Sequence, residues 1–93
     1  MNIEIINDGK KGAFRAIENG KQAGLMTFTW AGESKFIIDH TEVSDEFRGM
    51  SVGNKMVMAA VDFARVNDLK ILPLCPFAKS VFDKTEEIND VRA

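Results

Sequence analysis

A turn containing two glycines separates an extended segment from an amphipathic helix, and it reads Phe47-Arg48-Gly49-Met50-Ser51-Val52-Gly53. The first N–H groups of a helix have no partner inside the helix and lie at the positive end of its dipole. The two glycines let the backbone approach an anion without a Cβ in the way, and Arg48 and Lys55 add positive charge. The turn therefore predicts an anion site, although a plain strand-to-helix turn also often contains glycine.

Cys75 is the one cysteine of the chain and lies at the end of a predicted strand. A thiol in that place can protonate a leaving group or act as a nucleophile, provided that a base activates it. A lone cysteine also serves as a small buried apolar side chain. Both interpretations stay open from the sequence.

His40 and Glu42 are two residues apart on a predicted strand, so their side chains point to the same face. An imidazole and a carboxylate placed together suit general-base chemistry, either directly or through a water molecule. An exposed pair without any function gives the same pattern. His40 is the only histidine, and no spacing of ligands supports a metal site.

The first half of the chain reads as four strands joined by short turns that contain glycine. A change of period from two to about three and a half then predicts a helix that starts near Val52 and ends near Asn67. A fifth strand is expected at Lys70–Cys75. Because Pro73 cannot donate to a ladder, this strand either lies on a sheet edge or leaves the sheet there. A second helix should run from Phe77 to about Glu87. The four earlier strands are expected at Ile3–Ile6, Ala13–Ile17, Leu25–Trp30 and Phe36–Val43.

This order of elements predicts an α+β fold in which a mostly antiparallel sheet of about five strands packs with two helices. The strand–helix–strand unit at the end makes the fourth and fifth strands parallel. At 93 residues the chain is expected to form a single domain, 1–93.

Composition narrows the class of protein. A net charge of −2 gives no basic excess for nucleic acid, and no segment approaches the roughly 20 apolar residues of a membrane helix. One cysteine cannot form an internal disulfide, which fits a reducing compartment. The sequence therefore predicts a cytoplasmic protein, monomeric or weakly homodimeric, that binds neither nucleic acid nor membrane.

The turn and its flanks resemble the acetyl-CoA loop of the Gcn5-related N-acetyltransferases, whose pattern is Arg or Gln, two residues, Gly, one residue, and Gly or Ala. The resemblance extends to His40-Thr41-Glu42-Val43 before the loop and to Leu74-Cys75-Pro76-Phe77-Ala78-Lys79 after it. It covers nearly the whole chain and is strongest for small one-domain members. It implies the acyl-CoA N-acyltransferase-like fold.

The same resemblance implies acetyl-CoA as cofactor, CoA as product and an amine acceptor of unknown identity, a small molecule or a peptide. The backbone of Thr41 and Val43 would pair with the pantetheine arm, and the amides of the loop would hold the pyrophosphate. The implied loop contacts are Phe47, Arg48, Gly49, Met50, Ser51, Val52, Gly53, Asn54 and Lys55.

The sequence departs from the family pattern in two ways, one that affects cofactor binding and one that affects catalysis. Ser51 stands where the second glycine is usual and Met50 where a lysine or arginine is frequent, so weaker cofactor binding is expected. The chain has no tyrosine, whereas larger relatives often use one of the final helix to protonate the thiolate, and Phe82 stands near its place.

The leading hypothesis is acetyl transfer with Glu42 or His40 as base and Cys75 near the thioester. The alternative is a CoA-binding sensor or interaction module without catalysis. The argument for this alternative is that residues 7–12 form only a turn, whereas larger relatives carry the helices of their acceptor site there.

Overall fold

A computed structural model describes all residues, 1–93, and contains one five-stranded sheet in the order β1-β2-β3-β4-β5. The strands are β1 (Asn2–Asn7), β2 (Lys11–Glu18), β3 (Lys21–Trp30), β4 (Lys35–Val43) and β5 (Lys70–Pro73). The helices are α1 (Val52–Asn67) and α2 (Pro76–Lys84), with 3-10 helices at Asp45–Phe47 and Glu86–Val91. The predicted α+β architecture is confirmed.

The first four strands form the expected antiparallel meander. Asn19 and Gly20 join β2 to β3 with φ angles of 51° and 77°. Two consecutive positive φ angles define the tight hairpin turn whose twist matches the flanking strands. The last pair, β4 and β5, is parallel, as the strand–helix–strand order predicts.

The first four strands are longer than the sequence predicts, and β3 differs most because it begins at Lys21 rather than Leu25. The last strand and the last helix are shorter than expected. β5 ends at Pro73 rather than Cys75, because the N–H groups of Leu74 and Cys75 both donate to the Ile38 carbonyl, at 3.2 and 3.1 Å, and turn the chain out of the strand. The second helix stops at Lys84, and its predicted remainder continues as a 3-10 helix. A capping backbone and a 3-10 turn carry no clear periodicity in a sequence.

The hydrophobic core lies on one face of the sheet. Large buried residues alternate with more exposed ones along β2, β3 and β4 and form a single cluster with buried residues of both helices. Aromatic rings fill its centre, with Phe28 5.2 Å from Phe14 and 5.0 Å from Phe36 between ring centroids. Met56 of α1 is fully buried against this sheet face.

The other face of the sheet, which we call the open face, carries no helix. Strand positions that alternate with the buried ones remain accessible, as Arg15, Thr27, Thr29 and Ile37 illustrate. A connection of three residues joins β1 to β2, which leaves no chain to cover this face. Access to the open face is therefore a property of the topology.

Arg65 of α1 holds the C-terminal 3-10 helix by donating to both carboxylate oxygens of Asp90, at 2.8 and 3.1 Å. This hydrogen bond lowers the pKa of Asp90 below its ordinary value of 3.8. Because the folded pKa is depressed, the pair stabilises the fold above the unfolded pKa and this contribution is lost as the pH falls through the folded pKa.

Asp90→Asn is therefore expected to make the acid dependence of stability shallower. Urea unfolding of both proteins between about pH 5 and pH 2 measures this difference. The variant should be less stable than the parent protein at pH 5, and the two should converge in acid. Parallel curves across that range would contradict the assignment.

Candidate functional site

The loop between β4 and α1 takes a conformation that aims its backbone outward. Phe47 is buried and anchors the loop. Gly49 has φ +83°, and Ser51, the residue before the first helical residue, has φ 58° and ψ 33°. Both are left-handed conformations, which glycine adopts freely and serine at a cost. Ser51 thus takes a backbone conformation for which glycine is the usual residue.

Five N–H groups in this loop and the first turn of α1 have no acceptor in the protein. They belong to Gly49, Ser51, Val52, Gly53 and Asn54, and the first helical hydrogen bond runs from the Lys55 N–H to the Ser51 carbonyl at 3.0 Å. Free N–H groups gathered at the positive end of a helix form a concave anion site. The backbone here therefore fits a phosphate or pyrophosphate group.

The charges around this site are compatible with an anion. The first turn of α1 contains no acidic residue. Lys55 and Asn54 are exposed and their side chains make no ion pair or hydrogen bond within the chain. Arg48 is also exposed, but its Nε lies 2.9 Å from Oδ1 of Asp45. Lys55 is thus the free cation nearest the helix start in sequence.

Gly53 has a packing role that the sequence did not predict. A Cβ at this position would lie 2.5 Å from the ring of Phe77, so the glycine permits close contact between α1 and α2. Its φ angle is not positive, and the loop shape therefore depends on Gly49 and Ser51. Gly24 of β3 similarly lets α1 approach the sheet, because a Cβ there would collide with Val52 and Met56.

β4 and β5 separate next to the loop. Their pairing runs from Lys35↔Lys70 to Ile38↔Pro73 and stops there, whereas β4 continues to pair with β3 as far as Val43. The edge of β4 over residues 39–43 that faces away from β3 therefore has no strand partner. An unpaired strand edge offers N–H and C=O groups to an extended ligand.

The candidate catalytic side chains lie on opposite faces of the sheet. His40 and Glu42 stand opposite Thr27 and Leu25 of β3, on the open face. His40 Nε2 lies 3.7 Å from Glu42 Oε2, and the two side chains are 67% and 62% exposed. The prediction that they share a face is confirmed.

Cys75 is on the helix side, where its side chain is 5% exposed. Its sulfur caps α2 by accepting the Ala78 N–H at 3.3 Å, and it lies 3.2 Å from Oγ1 of Thr41. Neither His40 nor Glu42 hydrogen-bonds to this thiol. The sequence assigned Thr41 only a backbone role, and its hydroxyl contact with Cys75 was not predicted.

Three further observations concern the position of the missing tyrosine, metal binding and membrane spanning. Phe82 is fully buried in the core, so the position near the missing tyrosine is filled by packing. No group of three or more His, Cys, Asp or Glu side chains is placed to hold a metal ion. None of the helices has the length and apolar character needed to cross a membrane.

Asp39 is a residue near the site that sequence reasoning missed. Thr27 of β3 pairs with His40 and Phe28 with Ile38, so Asp39 is an extra residue in the ladder, a β-bulge. Its carboxylate accepts the Thr29 hydroxyl at 2.7 Å, which places it on the open face beside His40. A bulge leaves no signal in hydrophobic alternation, and only strand pairing reveals it.

Comparison with known proteins identifies the family. A family model described as GCN5-related N-acetyl-transferase matches residues 13–91. The chain belongs to the GCN5-related N-acetyltransferase family. The match begins in β2 and includes the loop, α1 and the C-terminal 3-10 helix, so the acetyltransferase fold spans most of the chain.

Relatives of this chain include Protein NATD1 of Xenopus tropicalis, 31% identical over 74 residues that cover 78% of this chain and 68% of that protein. Protein NATD1 of Homo sapiens is 28% identical, and the match covers 78% of this chain and 66% of that protein. A solution structure of a GCN5-like putative N-acetyltransferase from Staphylococcus aureus is 37% identical, with a TM-score of 0.71. The match covers 99% of this chain and 89% of that one.

A more distant structure shares the fold alone. Ribosomal-protein-alanine N-acetyltransferase from Brucella melitensis biovar Abortus 2308 is 18% identical, with a TM-score of 0.71, and the match covers 83% of this chain and 63% of that one.

Replacing Ser51 with glycine tests the left-handed loop of this acetyltransferase-family chain. Ser51→Gly should raise the free energy of unfolding by about 0.5–1 kcal/mol, because the strain of a left-handed serine exceeds the extra entropy of unfolded glycine. No hydrogen bond is lost, since the Ser51 side chain caps nothing. Urea unfolding measures the change.

The matched control for this change is Asp68→Gly, at the other end of α1, where φ is 55°. It should stabilise the protein similarly but leave the loop unaltered. Destabilisation by Ser51→Gly together with stabilisation by Asp68→Gly would show that the loop does not hold the left-handed shape.

Proposed function

We propose that this protein binds acetyl-CoA between the loop and the free edge of β4 and transfers the acetyl group to a primary amine. The observation that carries this proposal is the set of five N–H groups without an acceptor, from Gly49 to Asn54, next to the unpaired edge of β4. Family membership supports the same ligand.

Each part of the site would contact a different part of the cofactor. The free N–H groups would donate to the pyrophosphate oxygens, and Lys55 would add its charge. The backbone of Thr41 and Val43, on the β4 edge, would pair with the amides of the pantetheine arm as a neighbouring strand does. Ser51 and Met50 predict modest affinity, because one side-chain cation is absent and the loop is strained.

When bound, acetyl-CoA supplies the acetyl group as a thioester. The neutral acceptor nitrogen forms a bond to the carbonyl carbon, the carbon–sulfur bond breaks, the amine loses one proton and the CoA sulfur gains one. Glu42 and His40 are exposed to the acceptor side and would take that proton, directly or through water. The Cys75 thiol, on the helix side, is the available donor to the leaving sulfur. The base would then release one proton to solvent and the thiolate would take one up, which restores both groups.

The second candidate function is CoA binding without transfer. The position of Cys75 favours it, because the thiol is buried and engaged with the Ala78 N–H and Thr41. It has no hydrogen-bonded base, and the chain contains no tyrosine. A protein of this kind would report the acetyl-CoA level to a partner.

Titration of labelled protein with acetyl-CoA tests the common part of both candidates. Amide shifts are expected to change in residues 41–55, with desulfo-CoA giving the same response at the loop and ADP a weaker one. The absence of any change in that segment at millimolar acetyl-CoA would refute cofactor binding. Release of free thiol on addition of amines would then separate the transferase from the binder.

Cys75→Ser should reduce the rate of acetyl transfer by roughly tenfold to a hundredfold if the thiol protonates the leaving sulfur, because a hydroxyl is a poorer acid. Acetyl-CoA affinity should stay within about twofold, since Ser keeps a cap at α2. Thiol-release kinetics measure the rate, and amide titration measures the affinity. An unchanged rate would remove Cys75 from catalysis.

A further inference from the structure

The open face contains a depression of about 580 Å³ that begins at the bulge of β4 and crosses β3 toward the β1–β2 turn. Its size is in the range of small-molecule sites. Only two of its eight lining residues are hydrophobic, so it suits a polar ligand. The lining residues are Ile6, Asp8, Lys11, Gly12, Thr27, Phe28, Thr29 and Asp39.

The depression starts where β4 loses its partner strand. β5 leaves the sheet after Ile38, and Asp39 is the next residue along β4. The bulge puts Asp39 on the same face as His40, and bulges are common beside active sites, where they redirect a side chain. A molecule in the depression would thus reach the gap between the strands from the open face.

The helix side of the gap is closed. Cys75 and Ala78 are buried there and Thr41 lies against the sulfur. An acceptor that meets an acetyl group in the gap therefore has to arrive from the open face, which carries His40, Glu42 and the depression.

Free charges in the depression are one carboxylate and one ammonium group. Asp39 accepts only the Thr29 hydroxyl and forms no ion pair. Lys11 forms no ion pair and no side-chain hydrogen bond. Asp8 is already engaged by the backbone N–H groups of Lys10 and Lys11, at 2.9 and 2.7 Å, and these hydrogen bonds lower its pKa. The Asp8 carboxylate therefore stabilises the β1–β2 turn and is not counted as a free charge.

We infer that the depression is the acceptor site and that the acceptor is a small zwitterion with a primary amine and a carboxylate, such as an amino acid. Asp39 would hold the ammonium group next to the gap, and Lys11 would hold the carboxylate. Strands β2 and β4 are two strand spacings apart, roughly 10 Å, which the two side chains and a short ligand span. This inference rests on the proposed function, because it names the acceptor of that transfer.

Charge complementarity separates this class from other amines. A monoamine would leave Lys11 without a partner, and a diamine would place a second cation beside it. An ω-amino acid satisfies both side chains, and the hydroxyls of Thr27 and Thr29 can hydrogen-bond to its polar groups.

The test uses the full chain saturated with CoA and a series of ω-amino acids from glycine to 6-aminohexanoate. Amide shifts of Lys11, Thr27, Thr29 and Asp39 measure binding. At least one amino acid is expected to bind tenfold or more tightly than the n-alkylamine and the diamine of equal length. Equal or tighter binding of the alkylamine or diamine would overturn the zwitterion assignment, as would the absence of shifts with every compound.

Variants identify the two anchors. Binding of the tightest amino acid should weaken about tenfold in Asp39→Asn and about tenfold in Lys11→Met. Asn at position 39 keeps an acceptor for the Thr29 hydroxyl. Asp62→Asn on α1 and Lys84→Met on α2 make the same charge changes away from the open face and should leave its affinity unchanged. Equal losses of amino-acid affinity in the anchor variants and in the control variants would overturn the assignment of this site.

The acetyl-CoA response of residues 41–55 is recorded for the same proteins and keeps the two proposals distinguishable. A loop that responds to acetyl-CoA beside an open face that binds no amino acid would preserve the proposed function and overturn this inference. Open-face binding in a protein whose loop ignores acetyl-CoA would overturn the assignment of the depression as an acceptor site.

Discussion

Asn54→Asp is expected to weaken acetyl-CoA binding about tenfold to a hundredfold while stabilising the fold. Asn54 lies in the first turn of α1, its side chain is exposed and makes no hydrogen bond, and no acidic residue is present in that turn. A carboxylate there would interact favourably with the helix dipole by about 0.3–1 kcal/mol. The same carboxylate would compete with a pyrophosphate for the free N–H groups and repel it.

The opposite signs of the two effects make this variant informative. A general disturbance of the loop would lower both stability and affinity, whereas occupation of an anion site by a carboxylate raises one and lowers the other. Urea unfolding and acetyl-CoA titration supply the two measurements. Asn2→Asp on β1, at the far edge of the sheet from β5, is the control for net charge, and it should change neither quantity appreciably.

The salt dependence of acetyl-CoA affinity is a second test of the anion site. The loss of affinity in Asn54→Asp should shrink at high ionic strength, because exposed charges are screened. If the variant binds acetyl-CoA as tightly as the parent protein at low salt, the pyrophosphate does not lie at the start of α1, and the proposed binding mode is wrong.

Phe28→Ala is expected to lower the free energy of unfolding by about 3–5 kcal/mol. Phe28 is 1% exposed, and its ring packs against Phe14, Trp30, Phe36 and Phe63. Its removal leaves a cavity at the centre of a core that lies on only one side of the sheet. Because small domains have net stabilities of about 5–15 kcal/mol, this loss would leave little.

Leu25→Ala is the matched control on the same strand. Leu25 is partly exposed and stands opposite Glu42 on the open face, so its truncation should cost about 1 kcal/mol or less. Urea unfolding followed by circular dichroism measures both variants. Equal losses would mean that the open face is covered in solution, by a second copy or by another partner.

Much of the fold was readable from the sequence because its local signals agree with one another. Asn19-Gly20 specifies a tight hairpin, and the change of apolar period at Val52 marks the start of a helix. Pro73 confines β5 to an edge. These features depend on residues that are neighbours in the chain, where backbone sterics and periodicity act directly.

The loop was also recognisable, but the sequence did not reveal the packing role of one glycine. The pattern from Arg48 to Gly53 predicted an anion site, and the backbone there has free N–H groups. Gly53, however, accommodates Phe77 of α2, a contact between residues 24 positions apart that no local pattern contains. Ser51, at a position where the family pattern has glycine, takes a left-handed conformation that glycine adopts freely.

The sequence by itself determined the order of the elements, the position of the glycine-containing loop and the family. Only the tertiary structure decided which face of the sheet each candidate side chain occupies. Strand alternation sends His40 and Glu42 to the open face and Thr41 to Cys75 on the helix side, and the bulge brings Asp39 to the open face. Such placements depend on strand register and on packing between distant segments, and neither is encoded at a spacing that the chain alone reveals.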